Sequence, residues 1–202
     1  MKALDKLIDN IKFDKKYVLF SFIIVILGII TGSLFIVILN SADKNLVIEY
    51  ITSFVNNINT IDILKNTLIT NNIIVLILII IGFSFFLFPI NILILFYKAF
   101  IIGFTLTSFL LTYGIKGTIL SIIYIFPHLI INIIIFCLIT AFTLKLSINM
   151  IKYIIKKKEV NMRLYFNKYL SLIILSLIII NLSGLYESYI MPYLIKLIIH
   201  IL

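Results

Sequence analysis

Tryptophan is absent from this 202-residue chain, cysteine and proline are scarce at one and three residues, and only 12% of residues are charged. Each shortage excludes something. A soluble domain is roughly a quarter charged, so this chain has too little polar surface to cover a globule in water. Cys137 alone cannot form an internal disulfide, and its apolar surroundings mark it as small core filler. His128 and His200 lie far apart and in no ligand spacing, which predicts no metal site. The eight acidic residues are scattered. There is no glycine-rich phosphate loop, no paired carboxylates and no nucleophile beside a base. Catalysis needs convergent polar groups, so neither a catalytic centre nor a cofactor is expected, and the chain does not read as an enzyme.

What is abundant is apolar. The chain is 63% hydrophobic with a mean hydropathy of +1.25. A helix crosses the hydrocarbon layer with about 20 apolar residues. Stretches of that kind predict an all-α integral membrane protein with five spans, near residues 17–39, 72–88, 90–112, 119–144 and 170–186. The whole chain then forms one polytopic membrane domain. Pro89 and Asn91 place a tight turn between the second and third spans. The first apolar run is long and lacks a small-residue cleavage site, so it is expected to be a retained signal-anchor.

Charge sets a direction. Residues 1–16 carry Lys2, Lys6, Lys12, Lys15 and Lys16, and residues 145–169 carry Lys145, Lys152, Lys156, Lys157, Lys158, Arg163 and Lys168. The other side has only Lys44, Lys65, Lys116 and Lys196, offset by Asp43, Glu49, Asp62 and Glu187. Basic residues stay in the cytoplasm. The N-terminus and the 145–169 loop are therefore predicted inside, and the 40–71 loop and the C-terminal segment 187–202 outside. The basic balance is an orientation signal, and no nucleic-acid partner is implied. Without tryptophan, the aromatic belt falls to Tyr17, Tyr113, Tyr153, Tyr165, Tyr169 and Tyr186, all near span ends.

Two external segments have helical periodicity. In 40–71, Val47, Ile51, Phe54, Ile58, Ile61, Leu64 and Leu68 recur at three- and four-residue steps. This stripe suits a helix on the outer leaflet or on the protein's own spans, and alternatively a docking helix for a partner. In 187–202, Ile190, Leu194, Leu197, Ile198 and Ile201 share one side, and Tyr189, Tyr193, Lys196 and His200 another, with Pro192 near the start. An interfacial helix in contact with membrane lipid fits this segment.

Polar residues inside the membrane are costly. Lys98 lies about 10 Å past the Pro89–Asn91 turn at a 1.5 Å rise and is expected to snorkel to the cytoplasmic headgroups. Pro127, His128 and Asn132 fall within the fourth span, with His128 and Asn132 on one helical face. One His and one Asn without a carboxylate make a poor proton relay, so interhelical hydrogen bonds around a kink are expected. Gly28 and Gly32 form a GxxxG in the first span beside Ser33, and Gly103 begins a weaker small-residue face with Thr107 and Ser108. Such faces serve intrachain packing or dimerisation.

Several features then coincide: Phe96-Tyr-Lys-Ala-Phe-Ile-Ile-Gly-Phe-Thr105, the Tyr113-Gly-Ile-Lys-Gly117 turn, Pro127-His128, and above all Glu187-Ser-Tyr-Ile-Met-Pro-Tyr-Leu-Ile-Lys196. The chain resembles the stage II sporulation protein M family over nearly its whole length. It departs at Leu129 and Asn132, where related sequences more often carry Gly and Glu, so no ionisable role passes to residue 132. The resemblance implies a scaffold in the bacterial cell membrane. It would anchor a peptidoglycan amidase and a lytic transglycosylase whose wall degradation drives forespore engulfment. The partner-facing surface would then be Val47–Leu68, with Phe54 and Ile58, and Glu187–His200, with Tyr189, Pro192, Tyr193 and Lys196. The competing classes are a small-molecule transporter subunit, with Lys98 and His128 lining a large sealed polar pocket, and a peptide-immunity or stress membrane protein.

The orientation is open to a direct test. On intact protoplasts, antibody added outside should reach an epitope appended after Leu202 and miss one placed before Lys2. The reverse pattern would overturn the charge-based topology.

Overall fold

The computed structural model describes residues 14–56, 60–82, 87–125, 128–156 and 162–201. All regular structure among them is α-helical: α1 (Lys15–Ile38), α2 (Ser41–Asn56), α3 (Thr60–Gly82), α4 (Phe88–Tyr113), α5 (Ile115–Ile125), α6 (His128–Lys156), α7 (Met162–Tyr189) and α8 (Met191–Ile201). Four stretches are long and apolar enough to cross a membrane: Lys15–Ile38, Phe88–Tyr113, His128–Ile155 and Asn167–Ile195. The protein is thus a multi-pass, all-α membrane protein. The expected span at 72–88 overlaps α3, which is apolar from Ile73 to Ile81, and residues 83–86 lie outside the described residues.

The helix ends follow local chemistry. Asn40 caps α2, its Oδ1 accepting the Asp43 backbone N–H at 2.8 Å. Lys44 Nζ donates to the Val37 carbonyl of α1 at 2.9 Å, satisfying an orphan acceptor at a helix C-terminus. Pro89 falls in the first turn of α4, where a missing N–H costs nothing. That helix stops at Gly114, whose φ of +60° is open to glycine without penalty and whose N–H returns to the Leu110 carbonyl at 2.9 Å.

The run at 119–144 is helical in α5 and again in α6, and residues 126 and 127 between them lie outside the described residues. One expectation needs revision. The C-terminal helix does not begin at Glu187. That residue belongs to α7, which continues to Tyr189, and only after Ile190 does α8 begin. Pro192 cannot donate to the Ser188 carbonyl, while the Ile190 and Leu194 N–H groups still reach the Tyr186 and Ile190 carbonyls at 3.0 and 3.1 Å.

Packing centres on α6, with 61% of its apolar window buried against 28% for α1. Val75 and Leu78 of α3, Leu95 and Ile102 of α4, and Leu172, Ile173 and Ile180 of α7 gather around Phe136, Ile139 and Phe142. Tyr169, expected in the aromatic belt, is fully buried instead. Its hydroxyl donates to the Leu78 carbonyl at 2.8 Å and its ring stacks on Phe142 at 5.9 Å. A second core, Ile51 and Val55 of α2, Phe109 of α4, Leu120 of α5, and Met191 and Ile195 of α8, caps one end. At the other end Lys145 Nζ lies 4.0 Å from Asp14 at the start of α1. The outward residues of α1, such as Leu19, Phe22, Ile26 and Ile30, are exposed and suit a lipid-facing surface.

The GxxxG face packs within the chain. A Cβ on Gly32 would fall 2.1 Å from the Phe100 carbonyl oxygen, and one on Gly103 would fall 2.0 Å from that of Ile29. At Gly28 it would meet Ala99 Cβ at 2.6 Å. Small residues allow this approach, and in lipid close packing carries much of helix association. Ser33 adds a hydrogen bond to the Gly103 carbonyl at 3.3 Å. Gly103→Ala must push two backbones apart, a cost of about 1–3 kcal/mol for overpacking. It should lower the thermal unfolding midpoint in detergent far more than Ser33→Ala, and equal midpoints would contradict this packing.

Candidate functional site

His128, in the first turn of α6, is only 1% exposed. Its Nε2 sits 3.5 Å from Glu187 Oε1 of α7, itself 8% exposed. Tyr124, near the end of α5, presents its ring edge-on to the imidazole at 5.4 Å. One helical turn deeper, Asn132 Oδ1 accepts the Ser183 hydroxyl at 2.7 Å. From α4, Lys98 Nζ donates to Asn71 Oδ1 of α3 at 3.2 Å and lies 5.7 Å above the Phe136 ring. Beside it, Asn72 and Asn181 exchange two amide hydrogen bonds at 3.0 and 3.1 Å.

Five of these residues, Asn71, Lys98, His128, Asn132 and Glu187, line one cavity of about 210 Å³ with Asn66, Thr70 and Leu129. Asn66 and Thr70 are exposed and form its mouth. The wall comes from the N-terminal halves of α3 and α6, the middle of α4 and the C-terminal end of α7. The cavity therefore lies toward the capped end, away from Asp14 and Lys145. It holds one lysine, one glutamate and a histidine, an arrangement that an apolar interior tolerates only when charges face partners. Small-molecule sites typically measure ~300–1,000 Å³. This one is smaller and open, unlike the large sealed pocket a transporter subunit would present.

The structure revises several sequence expectations. Lys98 does not snorkel to the headgroups; Asn71 and the Phe136 ring hold its ammonium inside. Its reach toward lipid is blocked because position 98 shares the inward face of α4 with the buried Asn91, Leu95 and Ile102. His128 has the carboxylate that its own helix lacks, supplied across the bundle by Glu187. The same observation removes Glu187 from the partner-facing surface, since it points into the protein. Pro192 is buried too, whereas Tyr189 and Tyr193 are 62% and 67% exposed. Lys196 and His200 belong to α8, but their side chains, like Ile58 and Pro127, lie outside the described residues. Phe54 is half-buried, its ring centroid 5.6 Å from that of Tyr124 and nearly perpendicular to it. Thus α2 packs on the protein's own spans while still exposing Leu46 and Tyr50. Gly28, Gly32 and Gly103 pack internally.

Asn71, Tyr124 and Ser183 are cavity or neighbour residues that sequence reasoning did not single out. Tyr124 and His128 stand four residues apart, a spacing that offered a faint signal. Nothing in the spacing of Asn71 or Ser183 pointed to this cluster. Among the described residues no group of His, Cys, Asp and Glu is placed to hold a metal ion.

With this geometry in place, comparison with known proteins is informative. The family model described as "Stage II sporulation protein M" matches residues 19–192. The chain belongs to that family. The match runs from α1 to the start of α8 and so includes every residue of the cavity. The protein is accordingly a sporulation-related membrane protein. No curated protein and no solved structure matches it.

The Asn132–Ser183 bond is testable by a double-mutant cycle. Ser183 can turn its hydroxyl to the Ile180 carbonyl, 2.9 Å away, when Asn132 is removed. The Asn132→Leu and Ser183→Ala cycle should therefore give a coupling of about 0.6 kcal/mol, the average for membrane hydrogen bonds. A value near 3 kcal/mol would mean that no such alternative partner is used.

Proposed function

We propose that this protein is a membrane scaffold of forespore engulfment, without catalytic chemistry of its own. It would hold a peptidoglycan amidase and a lytic transglycosylase at the cell membrane, with its N-terminus in the cytoplasm and its C-terminus outside. Membership of the stage II sporulation protein M family carries this reading. The fold is compatible with it. The capped end is built from three short helices, α2, α5 and α8, together with the end of α7, and it leaves Leu46, Tyr50, Tyr189 and Tyr193 exposed. With the basic segments in the cytoplasm, that end faces the wall. Tyrosines are favoured in interfaces because they bury a large rigid ring and still offer a hydroxyl. The partner surface is accordingly the outer faces of α2 and α8, with Glu187 and Pro192 supporting it from beneath.

Affinity purification in mild detergent from engulfing cells, followed by mass spectrometry, tests the proposal. Peptidoglycan hydrolases should be enriched in the eluate. Tyr189→Ala combined with Tyr193→Ala should reduce their recovery at least about tenfold, the effect of losing two modest interface anchors. Tyr153→Ala, exposed near the other end, should leave recovery unchanged. Hydrolase recovery that is the same with and without the paired tyrosines would count against the surface. A co-purifying ATPase pair with no hydrolase would replace the scaffold with transport.

A further inference from the structure

We infer that the cavity between α3, α4, α6 and α7 binds a small zwitterion that carries a primary ammonium and an anionic oxyacid group. An amino acid and the headgroup of an ethanolamine phospholipid share that chemistry. This site is separate from the exposed tyrosines of the capped end, and its ligand does not depend on the scaffold reading.

The first observation is the state of His128. It is 99% buried, and among the described residues neither ring nitrogen has a hydrogen-bond partner. Glu187 Oε1 approaches Nε2 only to 3.5 Å, beyond the range of a good N–H···O bond. Nearly all buried polar side-chain atoms in native proteins are satisfied, so an imidazole that lines a cavity and makes only this long contact with Glu187 has hydrogen-bonding capacity left for a polar group held there.

The second observation is the balance of charge. Lys98 and Glu187, opposite in sign, line the same cavity with three amides and one hydroxyl. A lone anion would meet the Glu187 carboxylate and a lone cation the Lys98 ammonium. A zwitterion brings no net charge into the low-dielectric interior and can place each end against its complement. Lys98 spends one of its three N–H donors on Asn71, and Thr70 and the Asn66 amide stand at the mouth to complete an oxyacid site. The carboxylate of Glu187 and a ring nitrogen of His128 would take the N–H groups of the ammonium. A quaternary ammonium has no N–H to give and is excluded by the same logic.

The third is size. A cavity of about 210 Å³, below the ~300–1,000 Å³ of typical small-molecule sites, suits a group as small as alanine or phosphoethanolamine.

The full-length protein in nanodiscs of phosphatidylglycerol alone should be titrated with phosphoethanolamine, alanine, ethanolamine, inorganic phosphate and phosphocholine while thermal unfolding is followed. A second preparation in equimolar phosphatidylethanolamine, phosphatidylcholine and phosphatidylglycerol should be examined for retained lipid by native mass spectrometry. Stabilisation by phosphoethanolamine or alanine, and not by the other three compounds, identifies a free zwitterion. Retention of phosphatidylethanolamine over phosphatidylcholine by about fivefold or more, a difference of about 1 kcal/mol, identifies the lipid headgroup. Either discrimination should be lost in both Lys98→Met and Glu187→Gln. The inference is overturned if the wild-type protein shows neither discrimination, a comparison that needs no variant to fold. It is also overturned if both variants fold and keep the discrimination.

Discussion

The contact between α1 and α4 is the constraint from which the interior follows. Gly32 and Gly103 bring the two backbones so close that even a methyl group would strike a carbonyl oxygen. This fixes the rotation of α4 about its axis. With Ala99 and Gly103 turned to α1, the adjoining face carrying Asn91, Leu95, Lys98 and Ile102 turns toward α6. Lys98 therefore enters the protein because of the glycines on the neighbouring face, not because of any polar signal in its own surroundings. Lipid offers no hydrophobic gain for helix association, so such steric fit must do what burial of apolar area does in water.

Inside this frame the polar groups behave as a low-dielectric solvent demands. Four pairs reach across to another helix: Asn72 with Asn181, Asn91 with Thr143 at 2.9 Å, Asn132 with Ser183, Lys98 with Asn71, while Ser108, Ser121, Ser176 and Ser188 return to carbonyls of their own helices. Each pair joins two helices that close packing alone would allow to slide. The pairs also form levels along the bundle. Asn91–Thr143 and Tyr169–Leu78 hold the end near Asp14, and the Lys98–His128–Glu187 group holds the half toward the cap.

Much of this was legible in sequence because long apolar runs and lopsided lysines are strong signals. The helical class, three of the spans near their observed positions, the amphipathic α2 and the small-residue face of α1 all follow from periodicity and composition. The site was harder to see. His128 and Asn132 drew attention as costly residues in an apolar run, yet their significance depended on Glu187, which lies 59 positions after His128 in the chain. Its exposed neighbour Tyr189 and the nearby Pro192 made Glu187 read as part of a surface segment. Helical periodicity could not correct this, because it puts Glu187 and Tyr189 on opposite sides of α7 without saying which side is buried.

The two regions that sequence treated separately meet at Tyr124. Its ring packs against Phe54 of α2 and Phe109 of α4 on the side of the cap, at 5.6 and 5.7 Å, and against His128 on the side of the cavity. The aromatic wall under α2 and the polar wall beneath α7 are thus two faces of one side chain. A rotation of this ring large enough to admit a bulkier group beside His128 would have to displace Phe54, and with it the helix that carries Leu46 and Tyr50 to the surface. Interiors packed at crystal-like density do not absorb such changes locally. The position of the external helix and the shape of the polar cavity are therefore set by the same contact, even though the residues that compose them belong to five different helices.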